Sequence, residues 1–196
     1  PHAIIGSNKL HWLETSRENN WFPTSEQIEK KAKELKNKNI ILILNSPNNP
    51  SGSNCGNFEE IAKVAKQYGI IILSDEIYTE LTFDREYRSI SKYYPEGTII
   101  SSGLSKWCGA GGWRLGFFAV PTKLNSVLKM LKTLSSESFT AVSSPVQLAA
   151  VEAFQGDYSD YLNKTTTILD AVGNYVYENL KSNKILMQKP EGGFYL

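Results

Sequence analysis

The sequence predicts an α/β fold, a three-layer α/β/α sandwich around a mostly parallel sheet. Three observations point there. Short apolar runs without polar alternation recur at 40–44, 70–73, 98–101 and 116–120. Helical patterns stand between them. Each of the first three runs opens at its carboxyl end into a polar, reactive segment. Strands without alternation are expected to be buried on both faces, with helices supplying the crossovers.

The elements follow in order. Thr24-Ser25-Glu26-Gln27 fits a capping box, in which Thr24 takes the amide near Gln27 and the Gln27 side chain reaches back. Ile28, Ala32 and Leu35 then recur at helical spacing. The run 40–44 is the first strand. Asn57 and Glu60 fit a second capping box. Ile61, Ala65 and Tyr68 share one face of that helix, and Gly69 stops it. The runs 70–73, 98–101 and 116–120 are further strands, and the short link before the last leaves room for one antiparallel strand. After Pro121 the chain is mostly helical. A long amphipathic pattern over 158–182 includes Leu162, Ile168, Val172 and Val176. Such a helix leads from one domain to the next, so residues 1–157 are expected to form a large domain. Residues 158–196 are expected to hold a connecting helix and the start of a small one. The chain begins without Met and stops in the apolar Gly192–Leu196, so a piece of a longer protein is expected.

Composition excludes several functions. Apolar residues are 41%, charged residues 21% and net charge is +1, as in ordinary globular proteins with no basic surplus for nucleic acid. The run Lys30–Lys38 is interrupted by Ala32, Glu34 and Leu35 and reads as a solvated helix face. No apolar run approaches the ~20 residues that span a bilayer, and the first residues lack a signal-peptide plan. Cys55 and Cys108 form no metal-ligand spacing, nor do His2 and His11. A reduced, cytoplasmic protein is expected. Gly109-Ala110-Gly111-Gly112 invites a dinucleotide-loop reading, but Arg114 stands where its last glycine belongs and no strand directly precedes.

The segments after the first three runs carry the chemistry. They are Asn45-Ser46-Pro47-Asn48-Asn49-Pro50-Ser51-Gly52, Ser74-Asp75-Glu76-Ile77-Tyr78 and Ser101-Ser102-Gly103-Leu104-Ser105-Lys106. In an open parallel sheet ligands bind at the carboxyl edge of the strands. An amide, a carboxylate, a phenol and an amine are therefore expected on one side of the sheet.

Three motifs in order carry a family resemblance. Asn48-Asn49-Pro50-Ser51-Gly52 is similar to the NNPTG segment of class I/II aminotransferases. Ser74-Asp75-Glu76-Ile77-Tyr78 resembles their D-E-x-Y segment. Ser105-Lys106-x7-Arg114-x-Gly116 resembles their S-K-x7-R-x-G lysine motif. Pro190-Glu191-Gly192-Gly193-Phe194-Tyr195 is similar to a small-domain segment.

The resemblance implies the large domain of pyridoxal 5'-phosphate (PLP) fold type I and amino-group transfer from an amino acid to a 2-oxo acid. It implies that Lys106 forms a Schiff base with the cofactor and later moves a proton. It assigns Asp75 to the pyridine nitrogen, Asn49 and Tyr78 to the phenolic oxygen, and Arg114 and Ser105 to the phosphate. Glu76 is expected to be a solvated or packing partner. A serine common three residues before the lysine is absent, since Gly103 stands there. A homodimer is implied, with no nucleic acid and no membrane as partners. Two other readings stay open: a PLP-dependent lyase (β-elimination) on the same scaffold, and a non-enzymatic effector domain of a transcription regulator.

Overall fold

Strand order in the sheet follows chain order, β1-β2-β3-β4. The strands are β1 (Ile41–Asn45), β2 (Ile71–Asp75), β3 (Thr98–Gly103) and β4 (Gly116–Ala119). β1, β2 and β3 pair in parallel, and β4 pairs antiparallel with β3. This computed structural model describes residues 2–36, 38–181 and 187–196. The α/β class and the mostly parallel sheet are as the sequence predicts. The register sets Asn45 against Asp75 and Asp75 against Ser101, so β1 and β2 end level and β3 runs two residues further, to Gly103.

The helices are a short α1 (His2–Ile5), α2 (Ser25–Glu34), α3 (Phe58–Tyr68), α4 (Asn125–Ser138), α5 (Ser144–Gln155) and α6 (Ser159–Lys181). At α2 the capping box forms as expected. Gln27 N–H donates to Thr24 Oγ1 at 3.3 Å, and Thr24 N–H donates to Gln27 Oε1 at 2.9 Å. At α3 it does not. The Asn57 side chain makes no cap hydrogen bond and instead donates to the Pro23 carbonyl at 3.1 Å. That bond ties α3 to the chain entering α2, and the tertiary contact wins over the local cap. Gly69 closes α3 in the left-handed region, φ 64°.

α2 and α3 cover one face of the sheet. Ile28, Ala32, Phe58, Ile61, Ala62 and Ala65 pack with Leu44, Ile70 and Ile72. Fully burying each large aliphatic chain here contributes about 1.5–3 kcal/mol. The opposite face departs from the expectation of two-sided burial. Ile41 and Ile43 are each 63% exposed, and Phe118 on β4 is 50% exposed. Alternation explains this: Leu44 turns toward α2 and α3, while Ile41 and Ile43 turn away. β1 and β4 are also the edges of the described sheet.

A second correction concerns the crossovers. Between β2 and β3 the chain forms 3-10 turns at Thr79–Leu81, Ile90–Lys92 and Pro95–Gly97 rather than an α-helix. A parallel crossover needs length, and 76–97 supplies it without a helix. Beyond the strand ends a smaller cluster forms from Leu81, Leu104, Trp107 and Ala150, with Leu162 and Leu169 of α6 packed against it. No helix among the described residues is long and apolar enough to cross a membrane.

Candidate active site

The loop after β1 is built on side-chain amides. Asn45 Oδ1 accepts the Asn49 N–H at 2.8 Å, and Asn45 Nδ2 donates to the Asp75 carbonyl at 3.2 Å. Gly52 N–H donates to the Asn48 carbonyl at 2.8 Å, and Asn48 N–H to the Ser53 carbonyl at 2.9 Å. The Ser46–Pro47 and Asn49–Pro50 bonds are cis. Asn49 is left exposed at the sheet edge. Gly52 sits at φ 69°, and a Cβ there would lie 2.6 Å from the Tyr195 carbonyl oxygen. Only glycine suits both the backbone angle and the approach.

At the end of β2, Asp75 is half-buried. Burial pushes its carboxyl pKa up, and the Ile77 N–H, 3.4 Å from Oδ1, opposes this only in part. Glu76 points the other way into the fold and is 3% exposed. Its carboxylate accepts from Ser74 Oγ at 2.8 Å, Ser89 Oγ at 2.6 Å and Tyr87 OH at 2.9 Å. Of its two expected surroundings, solvent is wrong and packing is right. A buried carboxylate must be hydrogen-bonded, and these hydroxyls meet that need. Tyr78 is 5% exposed, and its hydroxyl lies 3.0 Å from that of Tyr195. Burial, first, and then the Tyr195 hydroxyl push the Tyr78 phenol pKa up, while the nearby Asn49 side-chain amide pulls the other way.

Lys106 follows β3, between two buried anchors. Leu104 is 4% and Trp107 7% exposed, so the loop is gripped on both sides of the lysine. Ala110 N–H closes it onto the Leu104 carbonyl at 3.2 Å. The Lys106 ammonium sits 5.6 Å from the ring centroids of both Tyr78 and Phe194. Among the described residues it has no carboxylate partner. Gly103 explains the missing serine of the lysine motif. A Cβ there would stand 2.7 Å from the Leu115 carbonyl oxygen and 2.9 Å from Gly116 Cα, where β3 and β4 meet.

Ser105 is partly exposed beside the lysine. Arg114 caps the 3-10 turn Gly111–Trp113 in the left-handed region, φ 58°. It is exposed and donates from Nη1 to the Gly111 carbonyl at 2.7 Å. One edge of its guanidinium is thus committed and the rest of its fork is open.

The structure brings Asn49, Tyr78 and Lys106 together, with Asp75 close enough for its charge to act on Tyr78. No bond ties Arg114 to this group. Two residues in the group were not singled out from the sequence: Phe194 and Tyr195. Both pack edge-on against Tyr78, with centroids 5.6 and 5.5 Å away. Their segment folds back over the site, with Glu191 and Gly192 N–H donating to the Gly52 carbonyl and Gly193 N–H to that of Leu81. The signal for it was the Pro190–Tyr195 segment, whose paired glycines permit such a close return.

Comparison with known proteins bears on this arrangement. Residues 3–196 match the family model described as aminotransferase class I and II. The chain is 35% identical over 157 residues to a probable N-acetyl-LL-diaminopimelate aminotransferase of Bacillus subtilis, covering 79% of this chain and 39% of that protein. It is 32% identical over 200 residues to an aspartate aminotransferase of Pyrococcus horikoshii, covering 99% of this chain and 49% of that protein. A solved structure of a Thermus thermophilus aspartate aminotransferase mutant superposes with a TM-score of 0.87 at 25% identity, covering 97% of this chain and 52% of that one. The chain thus spans about half the length of most relatives it matches. Motif order, sheet topology and the match over nearly all residues agree: the chain belongs to the class I and II aminotransferase family.

Proposed function

We propose that the protein carrying this chain is a PLP-dependent aminotransferase that moves an amino group from an amino acid to a 2-oxo acid. One observation carries the reading: Lys106 presents its ammonium 5.6 Å from the Tyr78 ring, at the carboxyl edge of the sheet, without a carboxylate partner among the described residues. A lysine gripped by buried neighbours yet left unpaired is suited to covalent work.

The residues fit the cofactor. Asp75 is a carboxylate that burial disfavours as an anion and that only one weak amide bond supports, so a cationic ring nitrogen would relieve it. Asn49 and Tyr78 supply an N–H and an O–H for a phenolic oxygen. Ser105 and the open fork of Arg114 supply donors for a phosphate. When bound, PLP draws electron density away from the amino carbon of the substrate. The chain's own part is to hold the ring nitrogen charged at Asp75, to hydrogen-bond the phenolic oxygen, and to take and return a proton at Lys106 Nζ.

The names of the relatives differ in substrate, N-acetyl-LL-diaminopimelate in one and aspartate in another. The amino acid is therefore proposed only as a class. With the reading go a homodimer and a cytoplasmic location. The division into residues 1–157 and 158–196 is supported by the start of α6 at Ser159. Borohydride reduction of the PLP-loaded protein followed by peptide mapping tests the assignment. A phosphopyridoxyl label on Lys106 is expected, and a label on any other lysine would overturn it.

A further inference from the structure

The hydroxyls of Tyr78 and Tyr195 stand 3.0 Å apart, and a phenol has one proton to give. We infer that Tyr195 is a positioning residue: its O–H donates to the Tyr78 oxygen, so that Tyr78 turns its own proton toward the phenolic oxygen of the cofactor. This rests on the cofactor reading above. The Tyr78 oxygen can accept two hydrogen bonds and donate one. Tyr195 is placed to fill one accepting position, and the Asn49 side chain acts on the same oxygen, which leaves the proton for the ligand. Were the direction reversed, Tyr78 would spend its proton on Tyr195 and have none for the cofactor. A hydroxyl that accepts from one partner becomes a better donor to the next, because chains of hydrogen bonds polarise one another.

The placement of Tyr195 is built rather than incidental. Its segment is fixed by the Glu191 and Gly192 N–H bonds to the Gly52 carbonyl at 2.7 and 3.1 Å and by the Gly193 N–H bond to the Leu81 carbonyl at 3.0 Å. The Phe83 N–H bond to the Glu191 carbonyl, 3.0 Å, holds it from the other side. Both rings meet edge-on at 87°. The other ionisable groups facing Tyr78 are the Asp75 carboxylate and the Lys106 ammonium, and neither is altered by a change at Tyr195.

The test reads the absorbance of the PLP-loaded, full-length protein against pH, in wild type, Tyr195→Phe, Tyr78→Phe and the double variant. Phe keeps the ring and its edge-on contact. Without the Tyr195 donor the phenolic oxygen of the cofactor is less well stabilised as an anion. The midpoint of the absorbance change should rise by about half a pH unit in Tyr195→Phe, the scale of one neutral hydrogen bond. It should rise further in Tyr78→Phe, and no further again in the double variant, because Tyr195 acts through Tyr78. A melting temperature lowered with an unmoved midpoint would assign Tyr195 a packing role only and overturn the inference. So would additive shifts in the double variant. Wild type lacking a cofactor band that depends on Lys106 would overturn the cofactor reading and the inference with it. A Lys106-dependent band with the wild-type midpoint in Tyr195→Phe overturns the inference alone.

Discussion

The Glu191 carboxylate accepts the backbone N–H of Asn54 at 2.6 Å, across 137 residues of sequence. Asn20 Nδ2 adds a second donor at 3.1 Å and also holds the Asn54 carbonyl at 2.7 Å. The last segment of the chain is therefore clipped to the loop after β1 by one carboxylate.

Glu191→Ala should lower stability by about 1–2 kcal/mol, since it strips a charged acceptor from a part-buried amide. Glu191→Gln keeps an acceptor and should cost less. Urea midpoints at constant m-value decide. Equal midpoints for wild type and the alanine variant would show that the clip contributes nothing.

Gly52→Ala should be worse for the C-terminal segment than for the sheet. Its Cβ would meet the Tyr195 carbonyl oxygen at 2.6 Å, and φ 69° is unfavourable for any L side chain. A loss of about 1–3 kcal/mol is expected, with faster amide exchange at 190–196 than in β1–β3. Uniform exchange changes would count against a local clash.

Glu76→Ala should be the most damaging of these changes, at roughly 2–4 kcal/mol. It removes the shared acceptor of Ser74, Ser89 and Tyr87 from the interior. Thermal and urea unfolding of the cofactor-free protein measure it. A loss below about 1 kcal/mol would mean that water replaces the carboxylate.

Asp75→Asn should separate catalysis from folding. Burial raises the folded pKa of Asp75 above its unfolded value. Its stabilising share is complete below the unfolded pKa and is lost as pH rises through the folded one. At neutral pH the charged form therefore weakens the cofactor-free fold, and the amide should melt no lower than wild type. Amino transfer by the PLP-loaded protein should fall on the order of 10²-fold or more. Melting curves from pH 4 to 7 beside turnover check both halves. A lower melt at pH 7 or near-normal turnover would reject the assignment.

Strands were legible because Ile40–Leu44 and Ile70–Leu73 are apolar without a break and Ile99–Ile100 sit between Ser101 and the β-favouring Thr98, and each observed strand starts within one residue of its run. α6 was legible because its apolar spacing persists across several turns. The Asn57 cap was misread because the Pro23 carbonyl that captures its side chain is 34 residues away, and periodicity carries no such distance. Glu76 was misread in part for the same reason: Ser89 and Tyr87 arrive from a stretch with no regular pattern. In the site, motifs pointed to Asn49, Asp75, Tyr78 and Lys106 because local turns place them. Phe194 and Tyr195 look like ordinary strand aromatics until the Gly192–Gly193 return folds them onto Tyr78.

The Tyr78–Tyr195 pair also has a consequence in time. The two hydroxyls are separated by 117 residues of chain. At a synthesis rate of about 5–20 residues per second, Tyr195 is made roughly 6–23 s after Tyr78. By contrast, Lys106 and Arg114 share the loop 104–115, whose ends the Gly103–Gly116 pair pins together, and a loop of that size closes in well under a millisecond. On the ribosome the lysine loop therefore has its full set of local contacts seconds before the last aromatic wall exists. For that interval the amine lacks the Phe194 ring, which lies 5.6 Å from it in the finished fold.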